Sequence, residues 1–332
     1  MHSDVLKKLF CLIAVSSLAF AVNCGEEADG DGDADGDGDG KEDRWDRRND
    51  PRNFGRDFEY NWENLNAEDL SQGGSDIIPW VDTYWPMTED GYNARWNHGA
   101  MSPVELYDQA FNNWTPPADF MQLRPFEGAR QEYDQAYYDG IGPAATWAHE
   151  RGGNHRGRQV WNPDGTIADS YSHCDTDGDN RFNSDAPDSC DLNGDDSVSS
   201  ADEMGGLEGW FGHCHAWAPA SFFHPEPQHS TTINGATFEV ADVKALIEST
   251  HEGCGGTLFL GGRCNLREFT RDEYGRVEEP ECRDTNAGSF HVVVLNVMGR
   301  VQNSFVSDIA TNYQVWNHPG RDYTIRRQDE VD

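Results

Sequence analysis

The stretch Trp210-Phe211-Gly212-His213-Cys214-His215-Ala216-Trp217-Ala218-Pro219-Ala220-Ser221 reads as a turn that runs into a helix. Gly212 permits a sharp entry, and Cys214 then falls in the first helical turn, where the positive end of the helix favours a thiolate. Ala216, Ala218 and Ala220 are good helix formers, whereas Pro219 removes one backbone hydrogen bond and is expected to shorten or kink the helix. His213 and His215 flank the thiol in sequence, but neighbours on a helix point about 100° apart, which makes them poor bases for it. A cysteine beside two histidines also fits a buried or bridged cysteine, so a catalytic reading needs partners elsewhere.

A cysteine nucleophile needs an imidazole to take and return a proton, and a third group to hold that imidazole. Ser289-Phe290-His291-Val292-Val293-Val294-Leu295 is a β-branched run of strand type, Gly299-Arg300 is a turn signal, and Asn303 to Ile309 reads as a second strand. A hairpin centred between Gly299 and Arg300 sets His291 directly opposite Asp308. A register shifted by one residue sets Ser307 or Ile309 there instead. Asn312 or Asn317 could replace Asp308 as the orienting group.

A short repeat precedes the nucleophile. Cys174-Asp175-Thr176-Asp177-Gly178-Asp179-Asn180-Arg181-Phe182 and Cys190-Asp191-Leu192-Asn193-Gly194-Asp195-Asp196-Ser197-Val198 recur with a period of 16 residues. Calcium takes six to eight oxygens, and alternate Asp or Asn in a tight turn aim theirs inward. The expected ligands are Asp175, Asp177, Asp179 and the Arg181 carbonyl in the first loop, and Asp191, Asn193, Asp195, the Ser197 carbonyl and Asp202 in the second. The first loop has Ala186 at its closing position and must borrow Asp185 or Asp188, or leave a water. Both loops carry an apolar residue at position 8, Phe182 and Val198, expected to pack into a neighbouring core; the similar tract 29–39 does not.

Formal net charge is −35 over 332 residues, with local totals of −8 in residues 25–50 and −10 in residues 174–208. Such a surface repels phosphate and excludes nucleic-acid binding. The 11 Trp, 11 Tyr and 16 Phe still provide for a sizeable core, which excludes global disorder. Residues 1–24 read as an export signal: Lys7 and Lys8 precede an apolar stretch too short to span a bilayer. Ala19-Phe20-Ala21 offers a cleavage site, while Ala21-Val22-Asn23-Cys24 resembles a bacterial lipoprotein signal ending in a lipidated cysteine, the favoured reading; palmitate labelling separates the two. Residues 25–55 form an acidic linker, 56–325 the catalytic domain including the loop insertion 174–203, and 326–332 a tail. Export permits disulfides. Cys174 with Cys190 and Cys264 with Cys282 are the expected bridges, the first worth about 3 kcal/mol by loop-closure entropy; Cys254 is left free or variably paired, and Cys254 with Cys264 is equally short.

Several separated stretches resemble the transglutaminase elicitor family, the secreted oomycete transglutaminases and their bacterial relatives. They are Gly212 to Ser221, Pro225-Glu226-Pro227, Asn234 to Val240, Asp242 to Leu246, Ser289-Phe290-His291 and Val315-Trp316-Asn317-His318-Pro319-Gly320-Arg321, with Tyr84-Trp85-Pro86 and Ser102 to Asp108 upstream. The resemblance spans about residues 76–325; the paired calcium-type loops and added cysteines depart from it. It implies an α+β fold of papain/transglutaminase-like arrangement, the nucleophile helix packed on an antiparallel sheet carrying His291 and Asp308, with residues 56–172 as an irregular helical lobe on the same core. It implies a protein-glutamine γ-glutamyltransferase joining Gln to Lys or other amines of protein substrates, with Cys214, His291 and Asp308 catalytic. A papain-like cysteine peptidase or amidase shares this chemistry, and a non-enzymatic calcium-binding surface protein with Cys214 bridged is the alternative outside enzymes.

Overall fold

The computed structural model describes residues 49–53, 57–97, 99–125, 134–153, 160, 166–192, 197–199, 202–204, 209–253, 260–262, 264, 266, 269–310 and 313–327. Of two compact units, Met1–Gly40 with Gly253–Leu258 contributes Gly253 to these residues, and Lys41–Glu252 with Phe259–Asp332 contributes the rest. The export signal, Cys24, the acidic tract, Asn193, Asp195, Cys254 and Asn312 lie outside the described residues.

The architecture is mixed. Helices α1 (Trp62–Ala67), α2 (Pro103–Phe111), α3 (Gln135–Gly140), α4 (Pro143–Gly153), α5 (Cys214–Phe223), α6 (Val240–Ser249) and α7 (Ala287–Val294) are joined by short 3-10 turns. Strands β1 (Gln72–Gly74), β2 (Thr231–Ile233), β3 (Ala236–Phe238), β4 (Val306–Asp308), β5 (Asn317–Pro319) and β6 (Asp322–Thr324) form three antiparallel pairs, β1 with β6, β2 with β3 and β4 with β5. The one antiparallel sheet of the sequence reading is therefore replaced by three small ribbons among the described residues.

Buried carboxylates fix the helices upstream of α5. Ser102 and Glu105 cap α2 reciprocally, and Pro103 opens it. Glu105 also takes the Arg95 guanidinium at 3.0 Å and the Tyr137 hydroxyl at 2.8 Å. Asp108, one turn further, accepts from Ala144 N–H at 2.8 Å and Ala145 N–H at 2.9 Å, so a side chain of α2 satisfies the open amides at the start of α4. The core they frame joins Trp85, Tyr92, Val104, Ala145 and Ala148 to Ala245 of α6.

The expected hairpin does not form. Residues Ser289 to Leu295 lie on a helix that continues as π-helical turns over Leu295–Arg300. Asn286 starts it, its side chain accepting from Ser289 N–H at 2.8 Å. Val293, Val297 and Met298 then share one buried face against Phe58, Leu260, Phe305 and Tyr323. Tertiary packing of that face overrides the β preference of three successive valines. Asp308 pairs instead with Asn317, Ser307 with His318 and Val306 with Pro319.

The acidic unit holds the expected bridge Cys174–Cys190, with Cα atoms 5.7 Å apart, and Cys264–Cys282 is also bridged. Phe182 and Val198 are buried, but in a core of the unit's own, around Cys174, Cys190, Val160 and Ile167.

Candidate active site

Cys214 begins α5, with His213 as the preceding cap residue. Gly212 matters here through close approach: a Cβ would collide with the Tyr84 carbonyl. That carbonyl accepts from His213 N–H at 2.6 Å, and Gly212 bridges to Pro86, so the residue before the helix is clamped to the Tyr84–Pro86 segment. The helix runs on through Pro219 to Phe223, so the proline does not end it.

Among the described residues Cys214 is the free cysteine, and it is buried among Trp80, Trp217 and Ala220. Strand β5 lies against α5 and brings the end of the chain onto the sulfur. The Cys214 thiol faces the Val315 carbonyl at 3.7 Å, and Asn317 Nδ2 stands 3.5 Å from Sγ. His318, next on β5, sets its ring edge-on to Trp217 at 5.5 Å, and Trp316 meets Tyr84 at 5.4 Å. Burial pushes the thiol above its ordinary range; hydrogen bonds from the Asn317 backbone and side chain and from the His215 amide oppose this, and the nearby charge of Asp308 adds to it. The thiolate expected from the helix terminus alone is thus outweighed by desolvation.

Asp308 is at this corner, though not as expected. Its Oδ1 accepts from Trp316 N–H at 2.9 Å and Ala310 N–H at 3.0 Å, pinning the loop between β4 and β5. His291 is elsewhere in the bonding network: its ring packs on Trp62 at 5.4 Å, its Nε2 is buried without a hydrogen-bond partner among the described residues, and burial lowers its basicity. The structure does not pair His291 with Asp308.

Beneath the nucleophile lies a cluster that sequence reasoning missed. Glu252 accepts from His213 Nδ1 at 2.5 Å and meets His215 Nε2 at 3.1 Å, while the Tyr92 hydroxyl donates to it at 3.1 Å. Burial works against the Glu252 carboxylate, but the two imidazoles outweigh it and hold its pKa well below the usual range; Glu252 in turn raises that of His215. One turn earlier, on α6 itself, burial and the charge of Asp82 push the Glu248 carboxyl up to about 11, so it is protonated at neutral pH. No spacing in the sequence ties Glu252 to His213; the end of α6 places it there.

In the first acidic loop the Asp175, Asp177 and Asp179 carboxylates converge, with oxygens within 4.8 Å of one another. Asp175 closes the turn by accepting from Gly178 N–H at 2.7 Å and Asn180 N–H at 2.9 Å. Arg181 Nε lies 4.0 Å from Asp179. Asp202 accepts from Leu192 N–H at 2.8 Å and Ser199 N–H at 2.7 Å, beside Asp191 and Ser197 in sequence. Glu203, also missed, reaches across to Phe182 N–H at 2.8 Å and ties the second segment to the first.

Among the described residues, a free thiol at a helix start, covered by a strand of a small antiparallel ribbon, marks a mixed helix-and-ribbon protein with a protected cysteine. The family described as transglutaminase elicitor matches residues 49–123 and 166–332, and the chain belongs to it. Among solved structures it is similar to the GP42 transglutaminase from Phytophthora sojae, at 23% identity and a TM-score of 0.43, over 80% of this chain and 57% of that one. The chain spans a little over half of that protein. No curated protein matches it at a significant level.

Proposed function

We propose that this chain is an exported protein-glutamine γ-glutamyltransferase in which Cys214 carries the acyl group. The observation behind this reading is the free Cys214 thiol, held at the start of α5 with hydrogen-bond donors from β5 aimed at its sulfur. The thiol gives its proton to an imidazole and attacks a glutamine carboxamide carbon. Ammonia leaves with that proton, and a lysine amine then attacks the thioester to form an isopeptide bond. His318 is the imidazole we assign to this step, its ring packed edge-on to Trp217, which shares an apolar cluster with Cys214. His291, to which the family resemblance points, is the second reading, favoured by its buried and partnerless Nε2.

The raised thiol pKa makes proton transfer to an imidazole part of the work, since little thiolate exists before substrate arrives. Asp308 serves by positioning the β4–β5 loop. The acidic unit is read as a structural calcium site: three convergent carboxylates on a closed turn fit a hard cation wanting oxygen ligands. Asp191, Asn193, Asp195, the Ser197 carbonyl and Asp202 would form the second site. Lipid on Cys24 remains the proposed membrane attachment, read out by palmitate labelling.

The test offers a glutamine peptide and a fluorescent amine, and scores incorporation against glutamate release. The wild-type chain is expected to incorporate amine, and Cys214→Ala to lose both products while melting within a few degrees of wild type. Turnover surviving in Cys214→Ala ends the proposal; glutamate release with no incorporation converts it to an amidase.

A further inference from the structure

Two polar groups from β5 and the preceding loop meet the Cys214 sulfur, and they differ in kind. The Val315 carbonyl is an acceptor and suits the protonated thiol at 3.7 Å. Asn317 presents only donors to the sulfur, its Nδ2 at 3.5 Å and its backbone N–H, both of which favour the anionic form. The His215 amide, in the first turn of α5, acts in the same sense. Since the first amides of a helix have no intrahelical acceptor, those of Cys214 and His215 stay available at this corner. An anion formed beside Sγ is therefore within reach of both the helix start and the Asn317 carboxamide.

The placement of Asn317 is fixed from behind. It lies across from Asp308 in the β4–β5 register, and Asp308 holds the loop that leads into β5 through the Trp316 and Ala310 amides. Trp316 on Tyr84 and His318 on Trp217 anchor the residues on either side. A carboxamide held at both neighbours is a preorganised donor, the kind of group that stabilises charge without having to reorient at the moment of reaction.

We propose that the Asn317 side-chain amide is the second donor of an oxyanion hole for acyl transfer to Cys214, the first being the Cys214 backbone N–H. As the Sγ–C bond forms, the carbonyl π pair moves onto oxygen, and that oxygen accepts from Asn317 Nδ2–H. When the C=O bond re-forms, the leaving group departs with the bonding pair; an amide nitrogen takes the proton that the thiol lost, and an ester oxygen can leave as the anion. The inference rests on Cys214 being an acyl-accepting nucleophile and not on which amine later takes the acyl group.

The experiment compares two reactions of Cys214 in the full chain. Iodoacetamide alkylates the thiolate without building charge on a carbonyl oxygen, whereas p-nitrophenyl acetate acylates it through a tetrahedral oxyanion. Rates of both are followed against pH for the wild type, Asn317→Ala, Asn317→Asp and Asn317→Gln. In Asn317→Ala the alkylation midpoint is expected to move to higher pH, because the thiolate loses one of its three favourable contacts. Above that midpoint, where the thiolate is fully formed, acylation should still be slower by on the order of 100-fold while alkylation recovers. Asn317→Asp, which offers an anion in place of a donor, should be slower still in acylation, and Asn317→Gln should regain part of the loss. Equal losses in the two reactions, or acylation that recovers with alkylation at high pH, overturn the proposal. A wild-type chain that acylates normally yet incorporates no amine into glutamine peptides overturns the transferase reading and leaves this one standing.

Discussion

The corner around Cys214 and the corner around His291 are each an apolar helix carrying one reactive side chain, and they treat it in opposite ways. The buried thiol is met by a carbonyl, a carboxamide and backbone amides, and its flanking imidazoles are tied to Glu252. The imidazole on α7 is set against Trp62, with its Nε2 left without a partner. Burial is common to both; convergence of polar groups is not. A buried polar atom with no partner costs about 1–3 kcal/mol, and among the described residues the α7 corner carries that cost at His291 where the Cys214 thiol does not.

Removing each imidazole breaks or sharpens this contrast most directly. His318→Ala is expected to slow acyl transfer by about 100-fold to 10,000-fold, the range for losing a general base, whereas His291→Ala should change it less than about tenfold. The reverse ranking in kcat/KM would return the base role to His291 and show that α7 approaches Cys214 during turnover.

Next in size is the cluster under the nucleophile. Glu252→Gln leaves two imidazoles facing a neutral amide and is expected to cost about 2–4 kcal/mol in chemical denaturation. The pH dependence supplies its signature. The Glu252 carboxyl is depressed by folding, so its contribution is present above its unfolded pKa and is lost as pH falls below about 4.3. The His215 imidazole is raised by folding, so its contribution is present below about 6.5 and is lost as pH climbs through the folded value. Stability should peak between these limits in the wild type and lose both flanks in Glu252→Gln; a variant that keeps both flanks would assign them to other groups.

The smallest effect belongs to the acidic unit, which serves as a control for the other two. Saturating calcium should raise the melting temperature by a few degrees, since a ligand bound only to the folded state stabilises it by mass action. Asp177→Asn should weaken that shift without changing the ranking of the two imidazole variants. No calcium in dialysed protein and no shift on its addition remove the ion.

How much of this was legible depends on how local the signal was. The helix at Cys214 could be read because its entry glycine, its alanines and its thiol are contiguous in sequence. The Cys174–Cys190 bridge followed from a repeat with cysteines in equivalent places. The run Ser289 to Leu295 misled because a short apolar segment fits a buried strand and a buried helix equally well. Asn286, three residues before Ser289 and in capping position, was the local sign of a helix. Once that run became a helix, the expected facing of His291 and Asp308 fell with it. The sequence offers Asn317 as a holder for an imidazole, but its place at the sulfur depends on how β5 docks on α5. Glu252 and Glu203 carry no sequence signal, because each acts on a residue distant along the chain.

The cover over the nucleophile, Val315 to Asn317, follows the thiol it shields by about a hundred residues. Until Val315 to Asn317 dock, nothing from β5 shields the sulfur, and oxidation that closes Cys174 with Cys190 and Cys264 with Cys282 meets a third thiol between them in sequence. Thiol–disulfide exchange proceeds through accessible thiolates. Fidelity of oxidative maturation therefore depends on how soon the C-terminal ribbon docks. In pulsed-alkylation refolding, protection of Cys214 should appear with that ribbon and not with the earlier closing of the acidic unit.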